Sequence, residues 1–132
     1  MQKLHGKLFI ISTPIGNLTD ITIRAIETLK TVNVIATENI RTTKKLLNKY
    51  AINKKLITFR EDNKSKQIPY ILDLLIDQDI ALISEAGSPT ISDPGWELVE
   101  NCRNKQCEII PIPGPSAPIT ALMSSGISAQ KY

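Results

Sequence analysis

Ile80-Ala81-Leu82-Ile83-Ser84-Glu85-Ala86-Gly87-Ser88-Pro89-Thr90-Ile91-Ser92-Asp93-Pro94-Gly95 passes from an unbroken apolar run, through a cluster of glycine, proline and hydroxyl residues, to a helix start. Four apolar residues without polar alternation predict a strand covered on both faces, the signature of a parallel sheet. Ser92-Asp93-Pro94 reads as a cap followed by a proline at a position where a missing N–H costs little. Trp96, Leu98 and Val99 carry that helix onward, and Trp96 is expected in the core, as large aromatic side chains usually are.

The same grammar repeats on either side. Apolar runs at Leu8–Ile11, Val32–Ala36, Leu56–Phe59 and Glu108–Ile112 predict four more strands. Helical periodicity follows each one. Asp20–Lys30 places Ile23, Ile26 and Leu29 near one another, with Thr19 or Asp20 as cap. Arg41–Tyr50 carries Thr43, Leu46, Leu47 and Tyr50 on one face, which turns Arg41, Lys44, Lys45 and Lys49 toward water. Ser65–Asp77 carries Ile68, Ile71, Leu72 and Leu75, with Pro69 expected in its first turn or displacing its start. The last helix follows Ser116 with Ile119, Leu122 and Met123. Five β-α units predict an α/β fold: an open, mostly parallel five-stranded sheet with helices on both faces and right-handed crossovers. In such a sheet ligands sit at the C-terminal ends of the strands.

Composition sets the outer limits. The chain has 132 residues, 42% hydrophobic and 22% charged, which suits one globular domain and neither disorder nor a fibrous repeat. Residues 1–127 are expected to form that domain and 128–132 to begin a linker. No run reaches the ~18–20 apolar residues of a membrane span, and Met1-Gln2-Lys3-Leu4-His5-Gly6 is not a signal-peptide start, so no membrane association and a cytoplasmic location are expected. Cys102 and Cys107 fit neither a metal motif nor a disulfide framework and read as buried thiols. With His5 the single histidine, no histidine triad or histidine-based metal site can form within the chain. Catalysis would fall to carboxylates, hydroxyls, amines or backbone groups.

Net charge is +3, but Arg41–Lys66 holds nine Lys and Arg against Glu61 and Asp62, so this window alone carries +7 and the rest −4. A solvated helix face is the bland explanation of such a run; an anionic partner meeting one region is the other.

Three loops concentrate the chemistry: residues 12–18 after the first strand, 84–95 after the fourth and 111–117 after the fifth. Glycine lets a ligand approach the backbone, proline fixes the loop and helix starts present free N–H groups. None matches a GxGxxG or GxxxxGK[ST] fingerprint, which counts against dinucleotide and P-loop readings.

Taken together, Thr13-Pro14-Ile15-Gly16-Asn17-Leu18 with Asp20-Ile21-Thr22, Ala36-Thr37-Glu38-Asn39-Ile40-Arg41-Thr42-Thr43-Lys44-Lys45-Leu46-Leu47, Ser84-Glu85-Ala86-Gly87-Ser88-Pro89 and Pro111-Ile112-Pro113-Gly114-Pro115-Ser116-Ala117 with Ser125-Gly126 closely resemble the N-terminal half of the ribosomal RNA small subunit methyltransferase I family, of the tetrapyrrole methylase-like superfamily. The motifs run in order from about Lys7 to Gly126. The resemblance implies a class III methyltransferase that moves a methyl group from S-adenosylmethionine to a ribose 2′-hydroxyl of a cytidine in the decoding region of 16S rRNA. It implies two α/β domains with the cofactor between them, a homodimer for the full-length protein, and inactivity of this half alone. By motif position Pro14, Gly87, Ser88, Pro89, Ile91, Ser116 and Ala117 would line the cofactor, and Arg41, Lys44, Lys45 and Lys49 would hold rRNA phosphates, positioning the substrate without reading its sequence.

Glu38 and Glu85 are the best local candidates for a general base, with Asp93 third. Asp93 could equally cap a helix, and Glu38 could equally pair with Arg41. Two positions depart from the family pattern: Asn39 stands where an acidic residue is common, and Glu85 where Asp is common. A non-catalytic RNA-binding module and a tetrapyrrole or other small-molecule methyltransferase domain are the competing readings. The extended basic window favours RNA over a compact ring substrate.

Overall fold

A computed structural model describes residues 2–91, 94–128 and 130. Strands and helices alternate without exception: β1 (Lys7–Ile11), α1 (Ile23–Thr31), β2 (Val34–Thr37), α2 (Ile40–Lys49), β3 (Lys55–Thr58), α3 (Lys64–Leu74), β4 (Ile80–Ile83), α4 (Gly95–Asn104), β5 (Glu108–Ile112) and α5 (Ala117–Ser125). The five strands form one all-parallel sheet in the order β3-β2-β4-β1-β5. The predicted fold class is the one found.

Strand order explains the layers. The connections through α1 and α2 run toward the β3 edge and those through α3 and α4 run back, so right-handed crossovers put the two pairs on opposite faces. Alternate side chains of the strands feed two cores accordingly. Leu8, Val34 and Leu82 meet Ile68, Ile71, Leu75, Leu98 and Cys102 of α3 and α4. Ile11, Ile35, Ala81 and Ile83 meet Ala25 and Leu29 of α1 and Leu47 of α2. All four residues of β2 and of β4 are buried, as their lack of polar alternation requires.

Several local expectations are corrected. Thr22, not Thr19 or Asp20, caps α1, its hydroxyl accepting the Ala25 N–H at 3.0 Å. That later start turns Ile23 outward, 76% exposed, while Ala25, Thr28 and Leu29 are buried. Pro69 lies in the interior of α3 rather than its first turn. Asn63 fixes the earlier start: its side chain accepts the Arg60 N–H at 2.7 Å and donates to Thr58 Oγ1 at 2.9 Å. Trp96 is 53% exposed and not in the core; in α4 it is Leu98 and Cys102 that face inward. Helix α5 starts after Ser116, as expected, with Ser116 as its cap, but buries none of its residues. The expected cap residues Ser92 and Asp93 lie outside the described residues, as do 129, 131 and 132 of the expected linker. Both cysteines are free and buried, as their sequence context suggested.

Candidate functional site

Between β1 and β4 the connections reverse: β1 leads to α1 on one face and β4 to α4 on the other. This is the switch point at which open α/β sheets bind ligands, and the loops there are fastened together. The backbones of Thr13 and Gly87 exchange two hydrogen bonds, at 2.9 and 3.0 Å, forming a short antiparallel bridge. Beside it the Ser12 and Ser88 hydroxyls lie 2.9 Å apart. The Ser84 hydroxyl donates to the carbonyls of Ala86 and Gly87, bracing the turn that carries Glu85.

The loop after β5 (loop 5, as loops 1 and 4 follow β1 and β4) joins by close approach. A Cβ on Gly114 would come within 2.9 Å of Ser12 Cβ, so glycine is what allows the strand-end loops to pack. Gly87 has φ +76°, a conformation that an L side chain adopts only under strain. These glycines shape the edge before any ligand arrives.

A hollow at this edge, about 310 Å³, lies between loop 1, loop 4 and the first turns of α2. Its walls are mostly apolar: Pro14, Ile15, Leu18, Leu46 and Ile83. Hydroxyls of Thr13, Thr42, Thr43 and Ser84 punctuate them, and Glu85 is the one carboxylate lining it among the described residues. Asn39 caps α2, its side chain accepting the Thr42 N–H at 3.1 Å. The residue that departs from the family pattern thus does at the helix start what an Asp could also do. Thr43 shares a 2.7 Å hydrogen bond with Thr37 at the end of β2, both buried. This buried pair fixes the helix against the sheet.

The sequence-predicted residues do not all converge. Pro14 and Glu85 share the hollow; Gly87 and Ser88 sit in the bridged seam beneath it. Glu38 and Pro89 line a separate, narrow crevice with Phe59 and Gly95. Ser116 accepts the Ile119 N–H at the start of α5, Ala117 follows it in the open, and Ile91 is 72% exposed. Arg41, Lys44, Lys45 and Lys49 are all exposed on α2, opposite the Leu46 and Leu47 side. Thr42, Thr43 and Leu46 were missed as lining residues.

No group of three or more His, Cys, Asp or Glu able to hold a metal occurs among the described residues. Near the far face Lys64 bridges Glu61 (2.7 Å) and Glu97, and its hydrogen bonds to these carboxylates hold the ammonium above its ordinary value.

Known proteins resemble this chain along nearly its whole length. It is 51% identical over 128 residues to ribosomal RNA small subunit methyltransferase I of Buchnera aphidicola, covering 96% of this chain and 45% of that one. The protein of the same name from Thermotoga maritima is 50% identical, covering 96% and 58%, and that from Escherichia coli O157:H7 is 44% identical, covering 97% and 45%. The chain therefore spans about half the length of these curated relatives. Among solved structures, uroporphyrin-III-C-methyltransferase from Thermus thermophilus superposes with a TM-score of 0.70 at 18% identity, over 96% of this chain and 55% of that one, a likeness of fold. Residues 7–132 match the family model described as Tetrapyrrole (Corrin/Porphyrin) Methylases, and the chain belongs to that family.

Proposed function

We propose that this chain is the N-terminal half, residues 1–127 with a linker from 128, of an S-adenosylmethionine-dependent methyltransferase that modifies ribosomal RNA. The finer reading is transfer to a ribose 2′-hydroxyl of a cytidine in the decoding region of 16S rRNA. With it go a small-subunit partner, a cytoplasmic location and a homodimer of the complete polypeptide. One observation carries the proposal: α2 presents four exposed cations on one side while Thr42, Thr43 and Leu46 of the same helix wall the hollow. A polyanion held on that helix is next to the place where chemistry would occur.

The residues present suit this cofactor. Apolar walls with scattered hydroxyls and backbone groups match a ligand that joins a flat base, a ribose and an amino acid. S-adenosylmethionine, when bound, supplies an electrophilic methyl group on a positively charged sulfur. Pro14, Ile15, Leu18 and Leu46 would exclude water, and the Thr13–Gly87 bridge would keep loops 1 and 4 from spreading, so that positioning supplies much of the rate. Glu85, braced by Ser84, is the better placed of the two glutamates to accept the ribose hydroxyl proton, because Glu38 faces the other crevice. Arg41, Lys44, Lys45 and Lys49 would grip phosphates. The groove lined by Thr19, Asp20, Gly114 and Pro115 is shallow and open, and α5 is uncovered, which supports inactivity of this half by itself.

Calorimetric titration of S-adenosylmethionine into this chain and into the full-length polypeptide, with methyl transfer to small-subunit rRNA assayed alongside, tests the reading. Binding and transfer in the full-length protein, weak or absent in this chain, are expected. A well-folded full-length protein that does neither would falsify it and leave a non-catalytic RNA-binding module as the better account.

A further inference from the structure

From Arg41 to Arg60 the sequence contains seven Lys and Arg and not one Asp or Glu. The structure lays this acid-free stretch out as α2, the turn after it, and β3, the strand at the free edge of the sheet. Carboxylates return only beyond it, where Asp62 holds Arg60 at 2.9 Å and Glu61 holds Lys64. The acid-free stretch therefore runs the ~15 Å length of α2, from the hollow to the opposite end of the sheet, where Lys54 and Lys55 lie.

Around the β3 edge, on the other face, stands Tyr70 of α3. The residue is 38% exposed and its hydroxyl accepts a hydrogen bond from Lys55 Nζ at 3.3 Å. Lys66, exposed, is four residues earlier on the same helix face, and one carboxylate, the exposed Asp73, is three residues later. An aromatic ring flanked by two cations is a combination that holds single-stranded nucleic acid, the ring stacking a base and the cations taking the neighbouring phosphates. Lysine on an edge strand also deters edge-to-edge pairing, but one such residue suffices for that. It does not explain the lack of acids along α2 or the Tyr70 arrangement.

We infer that the RNA footprint does not end at α2: the strand continues round the free edge of β3, its phosphates on Lys54, Lys55 and Lys66 and an unpaired base on Tyr70. This rests on the RNA reading above and extends it to a substrate of polynucleotide length, gripped well away from the reacting ribose.

Binding of a small-subunit rRNA fragment to the full-length protein, followed by fluorescence anisotropy across a salt series, tests this with three variants. Lys54→Gln/Lys55→Gln should weaken binding and lower the slope of log affinity against log salt by about 1 to 2. Tyr70→Ala should weaken binding roughly tenfold with the slope little changed, and Tyr70→Phe should restore most of that loss. Lys44→Gln/Lys45→Gln reports on α2 independently. If the α2 variant weakens binding while the other two leave affinity and slope at the parent values, the extended footprint is wrong and the RNA reading stands. If the parent binds no RNA, both fall. A change of oligomeric state in the Lys54/Lys55 variant without any change in RNA affinity would assign the β3 edge to a second copy of the chain instead.

Discussion

Two buried hydroxyls set the geometry of the site. Thr37 and Thr43 are 0% and 4% exposed and share a 2.7 Å hydrogen bond. Thr43→Val removes one partner and should cost about 1–2 kcal/mol in urea unfolding. The Thr37→Val/Thr43→Val double variant leaves no orphaned hydroxyl and should recover most of that loss; if it is instead the sum of the two singles, the pair is not coupled. Burial acts on the thiols as well: it pushes Cys102 up to about 12, and Cys107 is raised for the same main reason. Because the folded value lies above the unfolded one, the unfolded chain loses a proton that the folded chain keeps, and stability falls as pH rises from about 9 toward 12. A loss of about 1 kcal/mol between pH 7 and 10 is expected, flattened in Cys102→Ala. That both cysteines are free and buried was legible from their spacing. The Thr37–Thr43 pair was not, because a hydrogen bond between the end of a strand and the first turn of a helix leaves no periodic trace.

Among the elements, α2 was the most legible and α5 the least. The spacing of Thr43, Leu46 and Leu47 marked the buried side of α2, and those residues are buried. Its cap was not foreseen, since Asn39 was read as a missing acid rather than as a cap. Asn39→Ala should cost about 1 kcal/mol, whereas Asn39→Asp should be neutral or slightly stabilising, as a cap oxygen and a negative charge both suit a helix N-terminus; thermal unfolding separates the two. In α5 the start after Ser116 and the apolar Ile119, Leu122 and Met123 were read correctly, yet sequence could not say that none of them is buried among the described residues. Met123, 80% exposed, should accept Met123→Glu in this chain with a change below ~0.5 kcal/mol.

For the molecule as a whole, parallel strands were legible because β2 and β4 lack polar alternation, while strand order was not, since runs of Ile, Val and Leu carry no label for their neighbours. The order found puts one sheet between two cores, so the cores should fail together. Leu98→Ala on one face and Leu29→Ala on the other, 0% and 1% exposed, should each cost about 2–5 kcal/mol while keeping a single cooperative transition by fluorescence and circular dichroism. Two separate transitions would contradict one shared sheet.

The position of β1 has a consequence for how the chain acquires its structure. β1 precedes the other four strands, and its neighbours β4 and β5 come about 70 and about 100 residues later. During synthesis Leu8-Phe9-Ile10-Ile11 leaves the ribosome as an apolar strand with both edges empty, while β2 and β3, close in sequence, can already pair. Completion must wait for Glu108–Ile112, so the nascent chain passes through a long interval in which this unpaired inner strand is its most aggregation-prone part, and a slow, late folding step is the expected signature.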